Sequence, residues 1–439
     1  MNHFDFSSSN FWEQLHRYCY DESGSGATQE SVSRILKDVK ERGEAAAIEW
    51  TAKIDGAEFT SSELKIDPEV LNQSAKILSK EQRRAILKAI DCVESFHKAA
   101  LPKSWKGKNP HGALVGEQFY PLSRVGIWVP GGHTPLVSTV VMSTVLANVA
   151  KVPEVAVFTP PRPNGEIDPH LLATLHLCKV KEVYRMGGVA AIGCMAYGTK
   201  NIKPVVKIFG PGNAYIIEAK RQVFGTVGID LLPGPSEVMV LSDGSTPPEY
   251  AAADLLAQAE HGSGKERIYL VAINQEWIKA VEQSLVEQVE RLPHKEKIKE
   301  ILEKRCLIVK TQNLNQASEV ANFIAPEHLE LHVAKDEKRH LMKQITTAGA
   351  LLSNEQTPAV LGDYTAGPSH TLPTGLAGRF SSGLQVSDFF RRTSIVEYGA
   401  HSLLEAQPIV DCLSEIENLI AHKESFHIRL RPKSPDVKI

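Results

Sequence analysis

Between Arg124 and Lys220, four short apolar segments alternate with helix-patterned stretches, and this alternation restricts the fold more than any other property of the chain. Arg124-Val-Gly-Ile-Trp-Val129 runs through Pro130-Gly-Gly132 into a helical stretch from about Pro135 to Ala150. Glu154-Val-Ala-Val-Phe158 precedes a helix over His170 to Cys178. Glu182-Val-Tyr-Arg-Met186 leads through Gly187-Gly188 into Val189 to Gly198, and Val205-Val-Lys-Ile-Phe209 leads through Gly210-Pro-Gly-Asn213 into a helix reaching Lys220. Strand-then-helix units in series predict an open parallel sheet with helices on both faces. Such sheets bind ligands beyond the carboxyl ends of strands where the strand order reverses.

A second α/β series follows, with strands near Glu237 to Leu241, Arg267 to Ile273, Cys306 to Val309 and Gly349 to Leu352. At 439 residues the chain exceeds one compact core, so two larger domains with smaller pieces are expected. Ahead of them the first 25 residues read as an arm ending in Glu22-Ser-Gly-Ser-Gly-Ala27, followed by helical patterns over Gln29 to Ile54 and Lys80 to Ala100. The tail from Ser387 carries a helical stretch over His401 to His422. A formal net charge of −3 gives no electrostatic case for nucleic acid or an anionic membrane. The start lacks a basic-then-apolar signal, and no window approaches the roughly 20 apolar residues of a membrane span. Six scattered cysteines form no metal or redox motif and read as buried free thiols of a cytoplasmic protein.

Several constellations have the residue types for chemistry. The three glycine turns match neither a GxGxxG fingerprint nor a P-loop, but their backbone amides and helix starts suit a pyrophosphate. His133, beside Gly131-Gly132, reads as a cap of its turn. Gln258 and His261 stand one helical turn apart and can share a metal; taken alone, the pair reads as the polar face of an amphipathic helix in water. Ala325-Pro-Glu327-His328 places an acid and an imidazole where a proline suits a helix's first turn. That pair has the types for water activation and proton transfer, or for a helix-dipole carboxylate beside a surface histidine. Leu361-Gly-Asp363 through His370 to Thr374 is a long proline-structured loop of the functional kind. Glu417 and His422 fall five apart on the expected last helix, a spacing that points them to different faces.

Together these segments resemble the histidinol dehydrogenase family, from about Glu30 to the last helix. The most specific stretches are Gly210-Pro-Gly-Asn213, Gly234-Pro-Ser236-Glu237, Gln258-Ala-Glu-His261, Ala325-Pro-Glu327-His328 and Gly362-Asp363 to Pro373. The resemblance implies a mainly α/β fold of two open, mostly parallel-sheet, incomplete Rossmann-like domains with small terminal helical pieces. Its expected boundaries are an arm over 1–25, a discontinuous first domain over 26–128 and 237–386, a nucleotide-side domain over 129–236, and a C-terminal piece over 387–439. It implies a homodimer in which that last piece completes the partner's active site.

For chemistry, the resemblance implies Zn²⁺ on Gln258, His261, Asp363 and His422, a donor set that suits this ion. His328 becomes the base for the hydroxyl proton, and Glu327 the group that activates water. Ser236, His370 and Glu417 become substrate contacts, together with Gln258, His261, His328, Asp363 and His422. The implied reaction oxidises L-histidinol to L-histidine through the aldehyde, with two NAD accepting hydrides in turn. A relative acting on another small primary alcohol, such as a dihydroxypropane sulfonate, and a non-catalytic binding homologue are the competing readings. The nucleotide contacts would be Trp128, Ala190 and Asn213. Trp128 stands where the family usually has tyrosine and Ala190 where it usually has glutamine. Each lost neutral hydrogen bond is worth about 0.5–1.5 kcal/mol, so NAD is expected to bind several-fold more weakly.

Overall fold

The computed structural model describes residues 1–20, 26–131, 135–261 and 263–431, so Gly132, His133 and residues 22–25 at the end of the expected arm lie outside the described residues. The chain divides into two units, one of Met1–Ala100 with Leu122–Phe389 and one of Leu101–Pro121 with Phe390–Ile439.

The larger unit holds two parallel sheets. In the first, strands lie in the order Glu182–Arg185, Glu154–Thr159, Arg124–Trp128, Lys207–Phe209, Gly228–Ile229. In the second the order is Asn2–Asp5, Cys306–Lys310, Arg267–Ala272, Glu237–Ser242, His328–His332, Ala350–Leu352. Numbering the strands of each series along the chain, both read 3-2-1-4-5, the order of a mononucleotide-binding half fold and its first added strand. The N-terminal strand simply extends the second sheet at its edge.

Continuous apolar runs explain these central strands, because a parallel sheet is covered on both faces. Val238, Val240, Ile268 and Leu270 join one core layer with Leu255, Val281 and Ile301. Met239, Leu241, Val271 and Leu329 point the other way, into a layer with Phe11, Val320 and Leu341.

Several segments pair differently from expectation. The first residues are no arm: Asn2–Asp5 pairs in parallel with Cys306–Lys310, and Phe11 and Leu15 of helix Phe11–Cys19 are core. Strand Arg124–Trp128, expected at the end of the first domain, is central to the nucleotide-side sheet. The helices expected in that first domain also pack against this sheet: Val32, Leu36 and Ala46 share a core cluster with Phe158 and Ile192. That helical pattern is two helices, Gly26–Arg42 and Glu44–Asp55, broken at Gly43, whose φ of 61° suits glycine.

In the smaller unit, Phe390–Glu397 pairs antiparallel with Leu114–Pro121, which pairs with Trp105–Lys108. Local pattern could not reveal that pairing, since its strands stand about 275 residues apart, as the register Thr393↔Gln118 shows. The last helical stretch is likewise two helices, Ala400–Ile416 and Ile420–His427, separated at Asn418 with φ 55°. Glu417 therefore caps one helix while His422 lies on the next.

Two charge clusters, each centred on a buried cation, hold the first sheet. Arg124 donates to Glu182 (2.7 and 2.8 Å) and Glu154 (2.8 Å). Lys220 and Asp230 pair with fully buried side chains. Lys220 Nζ donates to the Gly210 carbonyl (2.9 Å), and Asp230 Oδ2 accepts from the Gly210 N–H (2.7 Å). One ion pair thus satisfies both backbone groups of the turn where the strand order reverses. Glycine is required there, because φ is +118° and a Cβ would overlap the Trp128 carbonyl oxygen.

Removing one member of a buried pair leaves an uncompensated charge, which costs about 3–5 kcal/mol. Lys220→Met should destabilise by about that amount in denaturant unfolding, and Lys220→Met with Asp230→Leu should recover part of it. A single variant within about 0.5 kcal/mol of the parent would contradict this role.

Candidate active site

The strongest chemical cluster lies at the amino ends of two neighbouring strands of the second sheet. Residues 325–328 do not open a helix as expected; His328 begins strand His328–His332, which pairs on one side with Glu237–Ser242 and on the other with Ala350–Leu352. The alternation His-Leu-Glu-Leu-His favours a strand once partners exist on both sides. Glu327 and His328 are consequently buried, not on the surface.

Glu327 Oε2 accepts the N–H of Glu237 (2.9 Å). Burial holds the Glu327 carboxyl well above its ordinary pKa; the Glu237 N–H opposes this, while the nearby Glu237 and Asp363 charges add to it. Burial also raises Glu237 to about 7. It lowers His328 to about 4, with Asp363 opposing and His370 and His261 reinforcing the fall. His328 Nε2 lies 3.9 Å from Glu327 Oε1. A neutral imidazole and a high-pKa carboxyl therefore share one buried site, a combination suited to moving protons.

The expected metal ligands of the larger unit converge on this pair. Gln258 ends helix Pro248–Ala259, and its Nε2 lies 3.1 Å from His261 Nδ1 just past the helix. Asp363 sits on the short helix Ala359–Tyr364, 3.6 Å from His370 Nδ1. Burial works to raise Asp363, but the His370 hydrogen bond and the neighbouring His328 and His261 outweigh it and hold the carboxyl low. An ionised carboxylate, an amide and an imidazole fit a zinc ion by donor chemistry. His370 is also 3.5 Å from Thr139 Oγ1, and the Ser369 hydroxyl donates to the Met142 carbonyl (3.1 Å). The loop thus anchors on helix Val137–Val149. Ser236 directly precedes strand Glu237–Ser242, at the same end as Glu327 and His328.

Other expected residues fall elsewhere. Asn213 caps helix Ala214–Val223, its side chain accepting from the N–H groups of Tyr215 and Ile216. Trp128 and Ala190 are 4% and 1% exposed within one core cluster, so neither offers an open face at the nucleotide turns. Glu417 and His422 belong to the smaller unit, both exposed. Burial raises the thiols of Cys178 and Cys306 to about 12, which removes them as nucleophiles.

Sequence reading missed Asp254, Glu330 and His332, whose ligand-type atoms lie within 4.8 Å of one another. A signal existed in Glu330 and His332, which put charge at alternate positions of an otherwise apolar central strand.

A family model for histidinol dehydrogenase matches residues 20–430. The chain belongs to the histidinol dehydrogenase family. It is 39% identical over 415 residues to a histidinol dehydrogenase of Nitrosospira multiformis, covering 94% of this chain and 93% of that one. It is 40% identical to one of Rhizobium meliloti over 399 residues, 91% of each. The fold is similar to the crystal structure of histidinol dehydrogenase from Elizabethkingia anophelis, with a TM-score of 0.92 and 30% identity over 98% of both chains.

The burial of Ala190 yields a prediction. Ala190→Gln, which restores the residue expected from the family, should overpack this core and cost about 1–3 kcal/mol. Thermal unfolding would show it, and an unchanged Tm would mean that the core has room for the amide.

Proposed function

We propose that this chain oxidises L-histidinol to L-histidine, with one zinc per subunit and NAD as hydride acceptor. The observation that carries this reading is the buried Glu327–His328 pair set among Asp363, His261 and His370. Zinc held by Gln258, His261, Asp363 and His422 of the partner subunit would orient the substrate's amine and imidazole. His328 is neutral at pH 7, so a ring nitrogen can take the hydroxyl proton as the first hydride leaves the same carbon. Glu327 then draws a proton from the water that adds to the aldehyde carbon, and a second hydride leaves the hydrate to give the acid. Each step removes one hydride and one proton, and the added water supplies the new oxygen. The dry surroundings of Glu327 make its carboxylate, once ionised, a stronger base than an exposed glutamate.

Ser236, His370 and Glu417 would contact the substrate, and Asn213 with the turns after residues 128 and 209 would line the NAD site. Trp128 and Ala190 would then shape that site through the core behind it. A homodimer is supported by the smaller unit, where Leu404, Ile409, Leu413, Ile416 and Ile420 are exposed along the last two helices. Apolar side chains at such spacing suit burial against a second copy.

Purified protein with zinc, NAD and L-histidinol should reduce two NAD per substrate. Turnover of a different small alcohol and none of histidinol would overturn the substrate. Activity should rise with pH through the raised pKa of Glu327, since its base form exists only above that pKa. Glu327→Gln should abolish this limb, slow the aldehyde step by about 10²–10⁴-fold and move the yield towards one NADH per histidinol.

Subunit sharing has its own test. Mixing Gln258→Ala with His422→Ala subunits should restore about a quarter of parent activity, because each mixed dimer regains one intact site. Sites built within single subunits would stay inactive.

A further inference from the structure

His328, Glu330 and His332 occupy alternate positions of one strand, so their side chains share a face, while Leu329 and Leu331 point into the opposite core. Glu330 and His332 are 0% and 1% exposed. Burying a carboxylate and an imidazole costs several kcal/mol unless each finds partners. Here the partners come from two other segments. His332 Nε2 lies 3.3 Å from Glu330 Oε2 and 3.5 Å from Asp254 Oδ2, and Thr246 Oγ1 is 3.5 Å from its Nδ1. Glu330 Oε1 accepts the N–H of Ala359 (2.7 Å).

Each tie leads to an active-site residue. Asp254 is on helix Pro248–Ala259, four residues before Gln258 and hence on its side of the helix, and His261 lies beside Gln258 just past the helix end. Ala359 is the first residue of the helix that carries Asp363 one turn later. Glu330 lies two residues along the strand from His328.

We propose that Asp254, Glu330 and His332 form a positioning cluster that fixes Gln258, His261 and Asp363 relative to one another and to His328. The proposal rests on the zinc reading of those ligands. None of the three touches substrate or metal; they act by holding the segments that do, as outer groups around metal sites do.

The same three residues could instead be read as a metal site. A proton accounts for them better. Burial would lower the His332 pKa, yet its hydrogen bonds to Asp254 and Glu330 outweigh burial and hold it at about 9. The resulting imidazolium sits beside Asp254 and Glu330, whose carboxyl burial raises to about 7, and a metal would have to displace its proton.

The test is zinc affinity, measured on full-length protein stripped by a chelator and titrated with zinc against a chromophoric competitor. Glu330→Gln and Asp254→Asn should each weaken zinc about 10–100-fold while saturating at one zinc per subunit. Arg124→Met, which breaks the buried cluster of the other sheet, should lower Tm without changing zinc affinity. That separates positioning from general loss of stability. If Glu330→Gln does not fold, Asp254→Asn, at the less buried edge of the cluster, carries the test.

Parent-like zinc affinity in the folded variants would overturn the cluster's role while leaving the zinc site intact. Two zinc per parent subunit, one of them lost in His332→Gln, would also overturn it. Parent protein that binds no zinc, or Asp363→Ala that binds it normally, would sink the underlying zinc reading and the proposal with it.

Discussion

Ionisable groups enter the interior of a protein only if a partner compensates the water they lose, and this chain places such partnerships where its segments must meet. Lys220 and Asp230 close on the backbone of Gly210, so the turn at the strand-order reversal is held by a charge pair from the following helix and strand. Glu327 is held by the N–H of Glu237 from the neighbouring strand. His332 draws in Asp254 from a helix, and Glu330 the start of another. The last three join parts of the chain 29 to 90 residues apart, whereas Lys220 and Asp230 reach back only 10 and 20 residues to Gly210. The apolar layers supply the bulk of the folding free energy, whereas these pairs decide where particular side chains stand.

The two sheets share one strand order, and the candidate residues lie at different ends of it. In the first sheet Gly131, Gly187-Gly188 and Gly210 follow the carboxyl ends of Arg124–Trp128, Glu182–Arg185 and Lys207–Phe209, as expected for an open α/β sheet. In the second sheet Ser236, Glu327 and His328 stand at the amino ends of Glu237–Ser242 and His328–His332. The loop bearing Asp363 and His370 bonds to helix Val137–Val149 of the first sheet, so one loop ties the two layers together. The proposed site, drawn from a repeated architecture, therefore does not repeat the same end of it.

Trp128 and Ala190 gain a different meaning from their burial. Read along the chain, they are two altered nucleotide contacts. In the fold both lie in the core cluster that supports the glycine turns, where a large ring and a small methyl are members of the same packed layer. Close packing couples the sizes of such residues, so the change from the family pattern is one of core volume as much as of hydrogen bonding.

The sequence by itself determined the α/β class, the strand-then-helix order, the three glycine turns and, through resemblance, the family. These are local: an apolar strand, a glycine turn and a helical period are legible within ten or fifteen residues. It also marked the loop of Asp363 and His370 as functional in kind, and Gln258, His261, Glu327 and His328 as candidates that local pattern alone left with an ordinary explanation. Tertiary structure decided that Asn2–Asp5 is a sheet strand, that Leu114–Pro121 pairs with Phe390–Glu397, and that residues 325–328 lead into a strand. It also decided that Glu330, His332 and Asp254 meet. Those outcomes depend on which distant segment arrives alongside, because a strand needs a neighbour's hydrogen bonds and a buried charge needs a neighbour's counter-charge. Neither requirement is met within the stretch of sequence that carries it.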